Sequence, residues 1–173
     1  MTLIDAVQTA EITKVARALL AAPKNVKMAA RRYRRTAFRD SAEDQVLDVA
    51  IKIEALVGKE VDALTHRMAQ RAAIALADRI PPAATYDLLK QFYNIRSKIA
   101  HGDEPKSWTV KLGDGKYNGV ETGMFLLREL LLNRLLADKP WNAESLDKQM
   151  LERFERPEGY RPAEDDEADI AAQ

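Results

Sequence analysis

Residues 84–102 read ATYDLLKQFYNIRSKIAHG, and this stretch carries the clearest helical pattern in the chain. Its apolar residues recur at intervals of four, three and four, at Leu88, Phe92, Ile95 and Ile99. This spacing places them on one face of an α-helix. A glycine just after the last apolar residue is typical of a helix end. The pattern therefore predicts a long helix that buries one face and ends at Gly102.

Helical periodicity recurs along most of the chain, whereas the alternating pattern of a half-buried strand hardly appears. Further helices are predicted at about residues 3–21, 26–39, 42–57, 60–79 and 143–154, and through 125–135 up to Pro140. Before this last stretch the composition changes, and SWTVKL predicts a short strand while GDGKYNG predicts turns. We therefore expect an all-α protein, a bundle of about five to seven helices with a short irregular or β-like insertion near residues 105–119.

Several helix ends carry residues that favour capping. Ser41 is predicted to cap the third helix, with Asp44 at its N3 position as in a capping box. Gly58 is predicted to end the same helix at the C′ position, where a left-handed residue is common. Asn142 is the predicted N-cap of the last helix.

The composition excludes several classes of function. The chain of 173 residues has 27 basic and 27 acidic residues, so no dominant field for nucleic acid is expected from the whole chain. It has no cysteine, which excludes disulfides, thiolate metal sites and a cysteine nucleophile. With two histidines a three-His zinc site within one chain is excluded. A mixed site of histidine and carboxylates is not excluded, but no close spacing of the histidines suggests one, and we expect neither metal nor cofactor. GDGK at 113–116 lacks the spacing of a phosphate-binding loop, and a hairpin turn is the simpler interpretation.

Three regions are expected along the chain. Residues 1–23 form an N-terminal helical extension, residues 24–156 the helical domain, and residues 157–173 an acidic tail that we expect to be disordered. The beginning of the sequence, MTLIDAVQTAEITK, lacks the basic and apolar regions of a secretory signal. The apolar runs are far shorter than the ~20 residues that span a bilayer. We therefore expect a soluble, cytoplasmic protein with no membrane partner.

Arg96 and His101 are the candidate catalytic residues. Imidazole exchanges protons near neutral pH, so His101 is suited to general acid–base chemistry. A guanidinium binds phosphate oxygens with two parallel hydrogen bonds and keeps its charge. Together the two groups suit RNA cleavage without a metal, with His101 activating the 2′-hydroxyl or protonating the leaving oxygen. On chemistry alone, a helix-capping histidine beside a surface arginine is the favoured interpretation of the pair.

The surrounding residues resemble a known family. YNIRSKIAHGD, residues 93–103, is similar to the signature of HEPN domains, an arginine followed four to six residues later by a histidine. Tyr93, Ser97 and the His-Gly pair resemble the Apea-like branch of that family. Residues 30–58 and HRMAQRAAIAL at 66–76 resemble the preceding helices of the branch, in which Glu54 and Arg71 match recurring residues. The resemblance covers about residues 26–105.

This resemblance implies a HEPN-type helical bundle that dimerises. It also implies a metal-independent endoribonuclease, with Arg96 and His101 from two protomers in one cleft and Tyr93 and Ser97 as supporting polar groups. The biological settings that it implies are defence, toxin action or RNA processing, with an antitoxin or other regulatory protein as a further partner. Some members of the family are non-catalytic binding modules, and that alternative stays open.

Helix geometry bears on how the two candidate residues meet. Five residues rotate a regular helix by roughly 140°, so Arg96 and His101 lie on different faces. Either the helix loosens near Gly102 and His101 turns inward, or the site forms across a two-fold axis, which we favour. The inward stripe is expected to leave Tyr93, Arg96 and Lys98 outside the core. Glu54 and Arg71 are expected to pair across helices in a structural role.

The predicted second helix is strongly basic, with seven Lys or Arg in the sixteen positions 24–39. Such a helix is suited to following an RNA backbone. The candidate RNA-binding residues are Arg31, Arg32, Arg34 and Arg35, together with Lys98 on the motif helix. A solvated helix balanced by acidic residues elsewhere is the alternative interpretation, since the whole chain is neutral. A third class of function, a helical RNA-binding protein that does not use His101, follows from the same residues.

Overall fold

The structure is a computed structural model that describes residues 6–36, 38–58 and 64–152 of the chain. Within these ranges it contains seven helices and one antiparallel pair of strands. In chain order the elements are α1 (Ala6–Ala21), α2 (Lys24–Thr36), α3 (Ala42–Val57), α4 (Leu64–Ala75), α5 (Pro82–Ala100), β1 (Thr109–Leu112), β2 (Gly115–Asn118), α6 (Gly119–Leu136) and α7 (Ala143–Glu152). The prediction of an all-α bundle with a short β-like insertion is confirmed.

The motif-bearing helix α5 packs against α3, α4 and α6 and also against β1. Leu88, Phe92 and Ile95 of its predicted inward stripe are buried, and Ile99 is partly buried against the same core. The ring of Phe92 lies so close to Gly123 of α6 that a Cβ at that glycine would collide with it. Contacts on several faces therefore fix the position of α5.

The end of α5 has the hydrogen bonds of a Schellman motif. Gly102 has φ 77°, and its N–H donates to the carbonyl of Ile99 at 3.0 Å. The N–H of Asp103 donates to the carbonyl of Lys98 at 2.9 Å. Only a residue without a Cβ adopts this left-handed conformation at low cost. The predicted end at Gly102 is confirmed.

The predicted N-caps are also confirmed. The Ser41 hydroxyl accepts a hydrogen bond from the N–H of Asp44 at 3.0 Å. Asn142 accepts one from the N–H of Ser145 at 2.9 Å, and the Ser145 hydroxyl accepts one from the N–H of Asn142 at 2.9 Å. This reciprocal pair satisfies two N–H groups at the start of α7.

Gly58 follows the last residue of α3, so the predicted helix end is confirmed. Its φ is −74° and its ψ 153°, which is extended backbone, and its N–H donates to the carbonyl of Glu54 at 2.7 Å. A Cβ at Gly58 would collide with that carbonyl oxygen. The glycine is needed because the backbone turns tightly over the last turn of α3, and a left-handed conformation is not required.

The insertion is a β-hairpin. β1 confirms the predicted strand, whereas the prediction of turns throughout GDGKYNG is wrong, since its second half forms β2. Leu112 pairs with Gly115, and the loop between them begins with Gly113 at φ 56°. Asn118 ends β2 and caps α6 by accepting hydrogen bonds from two backbone N–H groups, at 2.9 and 3.1 Å. Strand pairing therefore continues directly into the next helix.

Two helix boundaries differ from the predictions. α2 ends at Thr36 rather than near Arg39, where the Thr36 hydroxyl donates to the carbonyl of Arg32 and accepts from the buried ammonium of Lys52. α4 ends at Ala75 rather than near residue 79, and turns follow it. The predictions for residues 3–5, 60–63 and 153–154 and for the acidic tail at 157–173 lie outside the described residues.

α1 lies on the outside of the bundle, where it contacts α6 and α2. Among its described side chains none is fully buried, and Ile12 and Leu20 are largely exposed. No helix within the described ranges combines the length and the apolar character that a membrane crossing requires.

Candidate functional site

Arg96 projects from α5 toward α3. Its guanidinium Nη2 lies 3.5 Å from a carboxylate oxygen of Glu54, and both side chains keep some exposure, 35% and 27%. Its Nε is buried and makes no hydrogen bond to any described residue. An unsatisfied donor at such a position costs about 1–3 kcal/mol. Arg96 is thus oriented by one loose ion pair, and its partly exposed guanidinium, apart from the buried Nε, is accessible to an anionic ligand.

Tyr93 is buried, with 4% of its surface exposed, so the expectation that it stays outside the core is wrong. Its hydroxyl donates to the carbonyl of Ala50 at 3.2 Å, and its ring makes an edge contact with Phe92. Burial, followed by the nearby negative charge of Glu54, raises the pKa of Tyr93 well above its usual value. The prediction failed because α5 packs on α3 and α4 as well as on α6, so more than one of its faces is buried.

His101 is the C-cap residue of α5, and its side chain is exposed. Its N–H still donates to the carbonyl of Ser97 at 3.2 Å, as in a regular turn, and also to that of Lys98 at 3.1 Å. The imidazole makes no hydrogen bond to another described residue. Ser97 is exposed, and the ammonium of Lys98 lies 3.8 Å from a carboxylate oxygen of Asp103. All three side chains therefore face solvent at the end of α5.

The structure excludes one of the two routes by which Arg96 and His101 were expected to meet. α5 ends at Ala100, the His101 N–H still donates to the carbonyl of Ser97 four residues earlier, and the first positive φ is at Gly102. His101 does not turn inward. Within one chain the two side chains consequently lie on different faces of the helix, separated by roughly 140°.

Arg71 does not pair with Glu54, so that prediction is wrong. Its guanidinium makes two hydrogen bonds of 2.7 Å to the carboxylate of Asp147 on α7. A third hydrogen bond, of 3.1 Å, runs to the carbonyl of Val57 at the end of α3. Arg71 is 4% exposed. It joins three helices and is therefore a structural residue, while Glu54 contacts Arg96 instead.

The basic helix α2 packs against α3 and α6. All four of its candidate RNA-binding residues are exposed, namely Arg31, Arg32, Arg34 and Arg35. Two of them, Arg31 and Arg34, line an open cavity of about 360 Å³ together with Leu19 and Leu20 of α1. These arginines are accessible to an anionic partner, and the cavity that Arg31 and Arg34 line includes no residue of α5.

A groove beside α5 is lined by Lys98, a candidate RNA-binding residue from the sequence, and by residues that the sequence did not single out. It has a volume of about 250 Å³ and lies between one face of α5 and the segment that leads into β1. Its polar lining residues are Gln91, Asn94, Lys98, Lys106, Ser107 and Thr109. The spacing of Gln91, Asn94 and Lys98 was visible in the sequence, but nothing in the sequence placed residues 105–109 opposite them.

Comparisons of this chain with models of protein families, with curated proteins and with solved structures found no match.

Proposed function

We propose that this protein is a homodimeric, metal-independent endoribonuclease of the HEPN type that cleaves single-stranded RNA. The observation that carries the proposal is that the side chains of both motif residues are accessible and take little part in packing. Arg96 is held by a single loose ion pair and its side chain stays partly exposed, and His101 is exposed at the end of the same helix. Both groups are available to a substrate, and neither is needed to hold the core together.

In this mechanism Arg96 binds the scissile phosphate and His101 acts as general base. His101 takes the proton of the ribose 2′-hydroxyl, and the 2′-oxygen attacks phosphorus. The bond to the 5′-oxygen breaks, which leaves a 2′,3′-cyclic phosphate. The leaving oxygen takes a proton from a second, protonated His101 that the two-fold axis brings into the same groove. The Arg96 guanidinium stabilises the charge that develops on the phosphate.

Supporting roles follow from the contacts of Arg96. Glu54 orients the guanidinium through the 3.5 Å ion pair. Tyr93 is buried nearby, and after burial itself the charge of Glu54 contributes to raising the pKa of its hydroxyl. Ser97 is one residue from Arg96 and exposed, so it is available to a phosphate oxygen. The proposal includes a cytoplasmic location, a role in defence or as a toxin, and a regulatory protein that restrains the nuclease.

Cleavage of single-stranded RNA in the presence of EDTA tests the activity. We expect His101→Ala and Arg96→Ala each to lower the rate by roughly 100-fold or more, as is usual when an acid–base group or a transition-state contact is lost. His66→Ala is the matched control, because His66 is the other histidine and is exposed on α4, where it bonds to the Tyr86 hydroxyl at 2.7 Å. Equal rates in all four proteins would contradict the proposal.

A mixing experiment tests the two-fold assembly. Arg96→Ala and His101→Ala proteins, each inactive alone, are combined under conditions in which protomers exchange. A mixed dimer has one intact Arg96 and one intact His101, from different protomers, but lacks the second His101 that protonates the leaving oxygen. Part of the activity should therefore return, above the level of either variant alone. If the mixture stays as inactive as its components while mixed dimers form, the site does not combine groups from two protomers. RNA binding without any turnover would favour the alternative, a non-catalytic HEPN binding module.

A further inference from the structure

One face of α5 leads directly to His101. Gln91, Asn94, Lys98 and His101 follow one another at intervals of three, four and three residues, which places them on a single stripe of a helix. The backbone of α5 stays helical up to the His101 N–H, so the stripe continues to the candidate base. The first three of these residues line the groove of about 250 Å³. His101 lies one turn beyond Lys98 on the same face of α5 and is not itself part of the lining.

The opposite wall of the groove is held rigidly. The side-chain amide of Gln91 donates to the carbonyl of Lys111 at 2.8 Å and accepts from its N–H at 2.8 Å, which fixes β1 to α5. The carbonyl of Trp108 accepts from the N–H of Gly119 at 2.7 Å, and a Cβ at Gly119 would collide with Ile95. The groove thus keeps its shape without a ligand, which lowers the entropic cost of binding.

The polar groups of the groove suit a nucleotide. Lys98 and Lys106 supply two ammonium groups, and the loose 3.8 Å contact of Lys98 with Asp103 leaves it able to bind a phosphate. Asn94 is exposed and makes no hydrogen bond to a described residue, so its amide can both donate to and accept from a base edge. The volume is a little below the roughly 300–1,000 Å³ of pockets for drug-sized ligands, which fits one nucleotide unit.

We infer that this groove is a subsite for a single ribonucleotide unit of the RNA strand, next to the phosphate that His101 reaches. Lys98 and Lys106 bind the backbone phosphate, and the amide of Asn94 contacts the base. The position relative to cleavage rests on the proposed function, whereas the binding of a nucleotide does not. Arg96, on another face of α5, does not contribute to this groove.

Binding is tested with a tetranucleotide of 2′-O-methyl RNA, which lacks the attacking hydroxyl and stays intact. In a titration followed by ¹⁵N–¹H NMR of the full chain, we expect the largest shifts at the side-chain amide of Asn94 and at the backbone of residues 105–109. The Asn94→Ala and Lys106→Ala variants should each raise Kd by about fivefold or more. Lys116→Ala is the matched control, because Lys116 is exposed on β2 outside the groove and should bind as the unmodified protein does.

Cleavage kinetics separate the failure of this inference from the failure of the proposed function. If RNA is cleaved, Asn94→Ala and Lys106→Ala should raise KM with little change in kcat, whereas His101→Ala lowers kcat. Unchanged Kd and KM in both groove variants would overturn the subsite and leave the ribonuclease proposal standing. Groove binding without any cleavage would support the subsite and contradict the proposed activity. Shifts confined to the arginines of α2 would place RNA elsewhere and overturn the subsite.

Discussion

Replacing Arg71 with methionine removes the guanidinium that joins α4 to α3 and α7. Methionine fills most of the space of the buried stem but leaves the Asp147 carboxylate without the two 2.7 Å hydrogen bonds from Arg71. The carbonyl of Val57 also loses its 3.1 Å hydrogen bond from Arg71. The effect should therefore appear in the stability of the fold.

The size of the stability loss follows from how deeply Arg71 and Asp147 are buried. Breaking a buried ion pair by removing one partner costs about 3–5 kcal/mol. Asp147 is 33% exposed, so water recovers part of its solvation after the change. We therefore expect the free energy of unfolding to fall by about 2–3 kcal/mol, which corresponds to roughly 5–10 °C in Tm for a chain of this size.

The assay is urea unfolding followed by circular dichroism at 222 nm, with RNA cleavage measured on the same samples well below the unfolding midpoint. Arg67→Met is the matched control, because Arg67 is exposed one turn earlier on α4. Its stability should stay within about 0.5 kcal/mol of the unmodified protein. A loss below 1 kcal/mol in the Arg71 variant, or a loss of cleavage at unchanged stability, would refute the structural role assigned to Arg71.

Three further predictions concern stability. The pKa of Tyr93 is raised in the fold, so its proton stabilises the protein below pH 10, and this contribution is lost as pH rises through the folded pKa. In alkaline urea titrations Tyr93→Phe should therefore lose less stability between pH 9 and 11 than the unmodified protein does. At neutral pH the variant should be less stable by about 1 kcal/mol, because it lacks the hydrogen bond of the Tyr93 hydroxyl. Gly102→Ala should lower the free energy of unfolding by about 1–2 kcal/mol, because φ at this position is 77°. Apart from its neighbours in the chain, none of the described residues lies within 4 Å of the new Cβ, so backbone strain is the expected cause, and an unchanged Tm would contradict it. Asp48→Asn leaves the buried Lys52 ammonium without the carboxylate 3.4 Å away, so the free energy of unfolding should fall by about 3 kcal/mol. The matched double variant, Lys52→Met with Asp48→Asn, should recover most of that loss because no buried charge remains without a partner.

The elements that could be predicted from the sequence are those that depend on local interactions. The stripe of α5, the Ser41 cap and the end at Gly102 depend on residues within one or two turns of each other, so their pattern is readable in the chain. The strand in SWTVKL was predicted because aromatic and β-branched residues favour extended backbone. The residues GKYN were assigned to turns because glycine and asparagine are typical turn residues, and the pairing with β1 that makes them a strand is supplied only by the fold.

Arg96 and His101 were identified from the sequence, and their separation on the helix followed from helix geometry alone. The fold decided everything that depends on which elements pack together. Tyr93 is buried because α5 is covered on more than one face, and Arg71 pairs with Asp147 because α7, 76 residues away, packs on α4. The groove beside Asn94 and Lys98 exists only because the segment before β1 folds back along α5, and no local pattern encodes that contact.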